Sequence, residues 1–272
     1  NKPARYIGGE LGSVVKDKKK KNVRFAFCFP DVYDVGMSHL GMKILYGLKN
    51  SVDNYWCERV FMPEKDFEKL MRENDIPLYA LESLDPLTEF DFVGFTLQYE
   101  LSYTNVLAML DLAGIPVKAK DRKELTPIVI GGGPCVCNPE PMADFFDLFV
   151  IGEGEEVNLE LMALYEKMKP NNPTKREFLL EAAKIEGIYV PAFYDVDYND
   201  DGTVKAITPN VEQAPAKVKK RIIKDFDKVY YPDSFVVPFT NIVHDRAVVE
   251  VLRGCIRGCR FCQAGFIYRP FR

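Results

Sequence analysis

Three cysteines near the carboxyl end of the sequence have the spacing with the clearest chemistry. Cys255, Cys259 and Cys262 form a CxxxCxxC pattern directly after a run of Val and Leu. Three thiolates on one tight loop can converge on one centre, ligate three irons of a cubane cluster and leave the fourth iron without a protein ligand. Gly254 and Gly258 let the backbone fold closely around that centre. The spacing predicts an iron–sulfur cluster with one iron open to a chelating substrate.

Two other metal sites compete with this interpretation. A structural zinc site normally takes four ligands in two pairs, and no fourth Cys or His follows Cys262. A ferredoxin-type cluster also requires a fourth cysteine. A chance group of buried cysteines would not explain the strand-like run before the motif, its glycines or the aromatic Phe261. A non-catalytic zinc or iron–sulfur module stays the alternative from another class of protein.

With Phe261 included, the motif resembles the CxxxCxΦC signature of the radical S-adenosylmethionine (SAM) superfamily, in which Φ is aromatic. The resemblance implies a 4Fe–4S cluster on Cys255, Cys259 and Cys262, with SAM bound at the open iron beside Phe261. It implies an enzyme that cleaves SAM reductively to a 5′-deoxyadenosyl radical, using an external one-electron donor. The protein would then bind, orient and exclude water while the cofactor does the chemistry. Neither the catalytic residues nor the substrate can be named from the sequence.

The elements before the motif alternate between short apolar runs and segments of helical period. The predicted strands are Val23–Pro30, Trp56–Met62, Asp91–Gln98, Pro127–Ile130 and Asp147–Ile151. The predicted helices are Met37–Lys49, Glu64–Asn74, Tyr103–Ala113 and Glu155–Met168. Such alternation is typical of βαβ units, and it predicts an α/β protein with a doubly wound parallel sheet. Ligands of this type of sheet bind beyond the carboxyl ends of its strands.

The turn after the first predicted strand contains Asp31, Tyr33 and Gly36. It resembles the DxHxxG turn of cobalamin-binding Rossmann-like domains, with Tyr33 at the position of the cobalt-ligating His. Phenol is a poor substitute for imidazole because it titrates near pH 10, so axial ligation by the protein is in doubt. Relatives of this type often bind cobalamin without a protein His, and the change does not exclude binding.

Glycine-rich stretches after later strands resemble the series found in cobalamin-binding domains that precede radical SAM barrels. The residues concerned are Gly131, Gly132, Gly133, Gly152 and Gly154. Glycines allow strand-end loops to approach a corrin or its nucleotide tail closely. The resemblance implies cobalamin as a possible further cofactor and methyl transfer as a possible reaction. The alternative is that the glycines only form tight turns and the sheet binds no cobalamin. The opening stretch, residues 3–10, resembles an uncharacterised radical SAM subfamily.

Several side chains near these motifs have simpler interpretations. His39 follows Gly36 on the predicted helix, where we expect it to pack or cap rather than reach cobalt. Cys135 and Cys137 are separated by one residue, a poor spacing for a metal pair, and are interpreted as loop-packing residues. The second region begins at Pro170, and we predict a helix at Lys175–Ile185 there.

We expect a hairpin within 189–208 to turn at residues 199–202, and a buried strand at Ala247–Leu252 to lead into the cysteine motif. The predicted organisation is a lead (1–22), a cobalamin-binding-like domain (23–169), a connector with a helix and a hairpin (170–245) and the start of a (βα)6 radical SAM barrel (246–272). The sequence continues for ten residues after Cys262. We expect most of the barrel to lie outside this chain, and we expect the chain alone to be inactive.

Composition limits the partners and the compartment. The 36 basic and 40 acidic side chains give no strong indication of nucleic-acid binding. No apolar run reaches the roughly 18–20 residues that span a bilayer, so no membrane partner is expected. Seven cysteines, an odd number with three of them in one short motif, are typical of a reducing compartment, and we expect a cytoplasmic protein. The expected partners are an unidentified substrate and the electron donor.

Overall fold

The computed structural model describes residues 2–272, and a six-stranded sheet forms its centre. The strands are β1 Val23–Phe29, β2 Tyr55–Phe61, β3 Phe92–Thr96, β4 Ile128–Gly132, β5 Leu148–Val150 and β6 Ile188–Tyr189. Their order across the sheet is β2-β1-β3-β4-β5-β6. Neighbours from β2 to β5 pair parallel, and β6 pairs antiparallel with β5. The predicted doubly wound α/β sheet is confirmed.

Seven α-helices accompany the strands within the described chain. They are α1 Tyr33–Gly36, α2 Leu40–Asn50, α3 Lys65–Glu73, α4 Tyr103–Leu112, α5 Gly154–Met168, α6 Lys175–Ala182 and α7 Ala264–Ile267. The chain leaves β1 towards β2 and later returns to β3 on the other side of β1, so the order of the strands reverses between β1 and β3. Open parallel sheets bind ligands at such a switch point. Within residues 2–272, no helix combines the length and the hydrophobicity that crossing a bilayer requires.

Both faces of the sheet are buried. Successive side chains of β1 point to opposite faces, and each set packs into a separate core. Phe25 and Phe27 belong to the core that includes Val157 of α5, whereas Cys28 belongs to the core that includes Val106 of α4. The near-continuous apolar runs in the sequence are the result of this two-sided burial. Helices α2, α5 and α6 therefore cover one face, and α3 and α4 cover the other.

The sheet continues beyond the helix that ends at Met168. Thr174 caps α6, since its hydroxyl accepts a hydrogen bond from Glu177 N at 3.2 Å while the Glu177 carboxylate accepts from Thr174 N at 2.7 Å. The chain then enters β6, which adds an antiparallel edge to β5. Helix α6 and β6, which the sequence analysis assigns to the connector, thus pack with the sheet. The domain limits themselves stay a prediction.

A separate two-stranded ribbon follows, made of β7 Tyr194–Tyr198 and β8 Val204–Pro209. Its turn lies at the predicted residues, because Gly202 N donates to Asn199 O at 2.9 Å and Gly202 adopts a φ of +81°. The hairpin is confirmed, although it begins later than predicted because residues 188–189 join the main sheet.

The strand predicted at Ala247–Leu252 is wrong for this structure, in which the segment has no regular secondary structure. A strand needs a hydrogen-bonded neighbour, and no strand pairs with this segment within residues 2–272. Its apolar side chains lie in solvent instead of a core, with Val251 exposed over 87% of its surface. The (βα)6 barrel that this strand would begin stays a prediction.

Candidate functional site

A cavity of about 400 Å³ lies between the sheet and the helices α2 and α5 and extends to the carboxyl ends of the strands. Its sheet wall is formed mostly by apolar side chains and one glycine: Phe25, Phe27, Gly94, Ile130 and Val150. Strands β1 and β3, between which the strand order reverses, both contribute to this wall. A cavity of this size and polarity is typical of a site for a small molecule.

The segment that contains the cysteine motif lies against the same cavity. Glu250 and Arg253 precede the motif, Tyr268 and Pro270 follow it, and all four line the cavity together with the strand-end loops. The sheet and the carboxyl-terminal segment therefore form one site, although they are far apart in the sequence.

Arg253 holds this segment in place. Its Nη2 donates to Glu155 Oε1 at 2.7 Å, and its Nε donates to Glu250 Oε1 at 2.9 Å. Glu153 adds a third carboxylate, 3.5 Å from Nη1. Burial alone would lower the pKa of Arg253, but its hydrogen bonds and the charges of its carboxylate partners raise it above the usual value. The guanidinium thus stays charged and connects the first turn of α5 to the residues before the cysteines.

The cysteine loop closes on itself through its backbone. Cys255 N donates to Tyr268 O at 3.2 Å, and the backbones of Arg253 and Arg272 exchange two hydrogen bonds of 2.9 and 2.8 Å. Gly254 has a φ of +97°, and a Cβ there would lie 2.6 Å from Pro270 O. Both conditions favour glycine, and the close approach here is to the backbone of Pro270. The predicted role of Gly254, folding the backbone around a cluster, stays a prediction.

The three predicted cluster ligands lie on this loop as free thiols. Cys259 is exposed, Cys255 and Cys262 are half-buried, and Cys262 N donates to Cys259 O at 3.1 Å in a tight turn. Three thiols with this spacing suit iron by their chemistry. In the described chain, however, no three Cys, His, Asp or Glu side chains are gathered into a group that could hold a metal ion. The neighbouring Phe261 is exposed over 93% of its surface. Cluster and SAM binding by these residues stay predictions.

The residues of the predicted cobalamin turn do not line the cavity. Asp31 accepts hydrogen bonds from Tyr99 OH at 2.6 Å and from Val32 N at 2.7 Å. Tyr33 is only 1% exposed. Gly36 packs against the Phe61 ring with no room for a Cβ. Tyr33 and Gly36 are therefore buried in the core, Asp31 is half-buried, and the Tyr33 side chain does not reach the cavity.

A buried ionic cluster explains the orientation of Tyr33. Its hydroxyl donates to Glu10 Oε1 at 2.9 Å, and Arg59 donates to Glu10 Oε2 at 2.8 Å and to Glu82 Oε1 at 2.6 Å. Burial opposes ionisation of Glu10, but the Arg59 guanidinium still lowers the pKa of that carboxyl. Arg59 and Glu82 were not predicted from the sequence, because no spacing connects three charged residues from separate segments.

The predicted glycines divide between the cavity and the opposite face. Gly132, Gly133, Gly152 and Gly154 line the cavity, whereas a Cβ at Gly131 would meet rings of the other core. Gly133 has a φ of +96°, and a Cβ there would lie 2.8 Å from Leu97 O. A Cβ at Gly132 would meet no atom within 4 Å, so Gly132 is the one among these five glycines that leaves open space beside it.

His39 and Lys49, two side chains with titratable groups, lie at the cavity. The sequence left the role of His39 open and gave no indication of Lys49. His39 caps α2, because its Nδ1 accepts from Met42 N at 3.1 Å, and its Nε2 lies 3.1 Å from Gln98 Oε1. Burial lowers the pKa of His39, so the ring is neutral and donates from Nε2. The interpretation of His39 as a packing and capping residue is confirmed. Lys49, by contrast, lines the cavity without a hydrogen-bond partner in the described chain. Its position in the last turn of an amphipathic helix did not indicate that it would be buried.

The fold combines a mostly parallel sheet and a strand-end cavity with a loop of CxxxCxxC spacing held against that cavity. The family described as radical SAM proteins, N-terminal, matches residues 41–191, more than half of the chain. The chain belongs to this family.

The chain is also similar to individual proteins. An uncharacterized protein of Methanocaldococcus jannaschii is 30% identical over 258 residues, which cover 94% of this chain and 44% of that protein. The chain thus spans less than half the length of this relative. The radical SAM methyltransferase TsrM of Kitasatospora setae, solved with tryptophan and a SAM analogue, is 15% identical with a TM-score of 0.37. That alignment covers 66% of this chain and 29% of TsrM, and at this score it bears on neither fold nor mechanism.

Proposed function

We propose that the protein is a radical SAM enzyme whose cluster is held by Cys255, Cys259 and Cys262. The observation that carries the proposal is the CxxxCxxC loop, with three free thiols, fixed beside a strand-end cavity in a chain of this family. The cluster would supply the electron that cleaves SAM, delivered by an external donor. The substrate is unidentified.

The chain's own residues would then have distinct tasks. The three thiolates hold the cluster, and Phe261 would cover the SAM bound at the open iron. Arg253 keeps the loop at the cavity through Glu155. The apolar walls of the cavity exclude water from a bound ligand, a contribution that suits radical chemistry.

Cobalamin is the finer part of the proposal. Four of the five predicted glycines line the cavity, and Gly132 leaves open space for a ligand. The phenol of Tyr33 is engaged with Glu10, so cobalamin would bind here without an axial ligand from this position. If it binds, methyl transfer to the substrate is the reaction that we favour. The alternative is a radical SAM enzyme whose sheet binds no cobalamin.

The cluster is tested by anaerobic reconstitution of the full-length protein with iron and sulfide. We expect iron and sulfide in the ratio of a 4Fe–4S cluster, an electron paramagnetic resonance signal that changes when SAM is added, and 5′-deoxyadenosine as a product. Cys259→Ser should lose the cluster, whereas Cys137→Ser, which removes an exposed thiol outside the motif, should keep it. A colourless protein that binds zinc through four ligands would support the non-catalytic module instead.

Cobalamin binding has its own test. The full-length protein is produced with hydroxocobalamin, and cobalt is measured after gel filtration. Retained cobalt supports cobalamin binding, which the methyl transfer that we favour requires, and its absence from a protein that still cleaves SAM supports the alternative. The chain of residues 1–272 is assayed in parallel, and we expect no 5′-deoxyadenosine from it.

A further inference from the structure

Lys49 brings an ammonium group to the cavity. This residue lies near the end of α2 and is 1% exposed. Its Nζ lies 4.5 Å from the ring centre of Phe25 and 4.5 Å from that of Phe27. A helical side chain points back towards the start of its helix, which here begins at the carboxyl edge of the sheet. The ammonium therefore lies inside the cavity and not at the surface.

No group of the described chain neutralises this cation. Its Nζ has neither a hydrogen-bond acceptor nor a carboxylate within bonding distance among residues 2–272. The two titratable groups that face it are Cys57 of β2 and Glu155 of α5. Burial raises the pKa of Cys57 to about 12, so this thiol is neutral, and the Glu155 carboxylate is already bound to Arg253. The rings of Phe25 and Phe27 give only a weak cation–π contact.

A buried ammonium without a counter-ion costs free energy of folding, and a bound anion would reduce that cost. Buried charges in proteins are normally paired, because an isolated ammonium loses its hydration. Burial lowers the pKa of Lys49 to about 8, so near neutral pH the group still carries a proton that it can donate. The cavity around it is large enough for a small organic molecule and has an apolar wall. The missing partner is thus of opposite charge and attached to an apolar body.

We propose that Lys49 anchors a ligand in this cavity, an organic carboxylate or phosphate whose apolar part packs against Phe25 and Phe27. The ammonium donates to the anionic oxygen, and the ion pair is shielded from water by the cavity walls. This inference rests on Lys49 and the walls of the cavity, and testing it requires neither the iron–sulfur cluster nor cobalamin.

The test uses small probes on the full-length protein. Benzoate and phenyl phosphate carry an anionic group on a ring, and benzamide has the size of benzoate without its charge. We expect isothermal titration calorimetry at pH 7 to detect binding of at least one of the anions and a weakening of about tenfold or more in Lys49→Met. Benzamide should bind the two proteins equally. The control is Lys43→Met, which removes another lysine of α2 that lines a different cavity.

A second measurement does not need a variant. Because anion binding favours the charged ammonium, benzoate binding near pH 8 should take up protons, seen as a dependence of the binding enthalpy on the ionisation enthalpy of the buffer. The inference is overturned if neither anion binds, if Lys49→Met binds them as tightly as the wild type, if Lys43→Met loses binding equally, or if no proton is taken up.

Discussion

Arg253 Nη2 and Glu155 Oε1 lie 2.7 Å apart, and this one hydrogen bond joins the residues before the cysteine motif to the first turn of α5. The two residues are separated by 98 positions in the chain. Glu250 and Glu153 surround the same guanidinium. The position of the cysteine loop is therefore set by the sheet domain.

The first prediction concerns this link. Replacing Arg253 by Gln removes the charge that holds Glu155 and Glu250, so the loop should leave the cavity more often. We expect hydrogen–deuterium exchange in the segment 250–272 to become several times faster, while exchange in β1 stays the same. Arg260→Gln, a change of the same type at an exposed position of the loop, is the control. Unchanged exchange in Arg253→Gln would show that the other contacts of the segment, such as those of Lys220 and Arg272, hold it without Arg253.

The second prediction concerns the buried ionic cluster. Arg59→Met leaves the carboxylates of Glu10 and Glu82 buried without a counter-ion, and breaking such a pair typically costs about 3–5 kcal/mol. Urea denaturation should show this loss in the free energy of unfolding. Arg72→Met is the matched control, because Arg72 pairs with Glu68 and Asp111 at the surface, where a pair contributes less than about 1 kcal/mol. Equal losses in the two variants would contradict the special role of Arg59.

The third prediction separates structure from cofactor binding at Tyr33. Tyr33→Phe removes the hydrogen bond to Glu10 and should lower the free energy of unfolding by about 1 kcal/mol. Because the phenol is directed away from the cavity, the variant should retain the same amount of cobalt as the wild type when both are produced with hydroxocobalamin. A loss of cobalt in Tyr33→Phe, with the fold intact, would place the phenol at the cofactor.

The fourth prediction compares two adjacent glycines. Gly133→Ala places a Cβ 2.8 Å from Leu97 O at a φ of +96°, and it should lower the free energy of unfolding by more than about 1 kcal/mol. Gly132→Ala meets no atom within 4 Å and should leave stability the same or slightly higher. Chemical denaturation measures the free energy of unfolding of both variants. If Gly132→Ala were the less stable of the two, the turn would differ from the one described.

The fifth prediction concerns the pH dependence that Lys49 imposes. Its pKa is about 8 in the folded protein and 10.5 in the unfolded chain, so the unfolded state binds more protons between these values. The wild type should therefore become more stable, with respect to this group, as the pH rises from about 8 to 10.5. Lys49→Met should lose this rise and, at pH 7, be more stable by up to about 3 kcal/mol. Parallel pH profiles of the two proteins would contradict a buried, unpaired ammonium.

The sequence alone determined the features that depend on local pattern. Apolar runs with intervening helical periods were sufficient for the five parallel strands, because a strand covered on both faces must be apolar throughout. The hairpin turn at residues 199–202 and the cap at His39 were also accessible, since both depend on neighbours within a few residues. The CxxxCxxC spacing is also a local pattern, and the cluster that it predicts stays a prediction.

Tertiary structure decided everything that depends on residues far apart in the chain. Tyr33 turns away from the cavity because Glu10 and Arg59 meet it in the core, and Lys49 is buried because α2 and α5 close over β1. The segment 247–252 has the composition of a strand and no neighbour to pair with. Burial, charge pairing and strand pairing are properties of contacts between distant segments. A linear pattern specifies which residues can make such contacts, and only the packed fold determines which of them do.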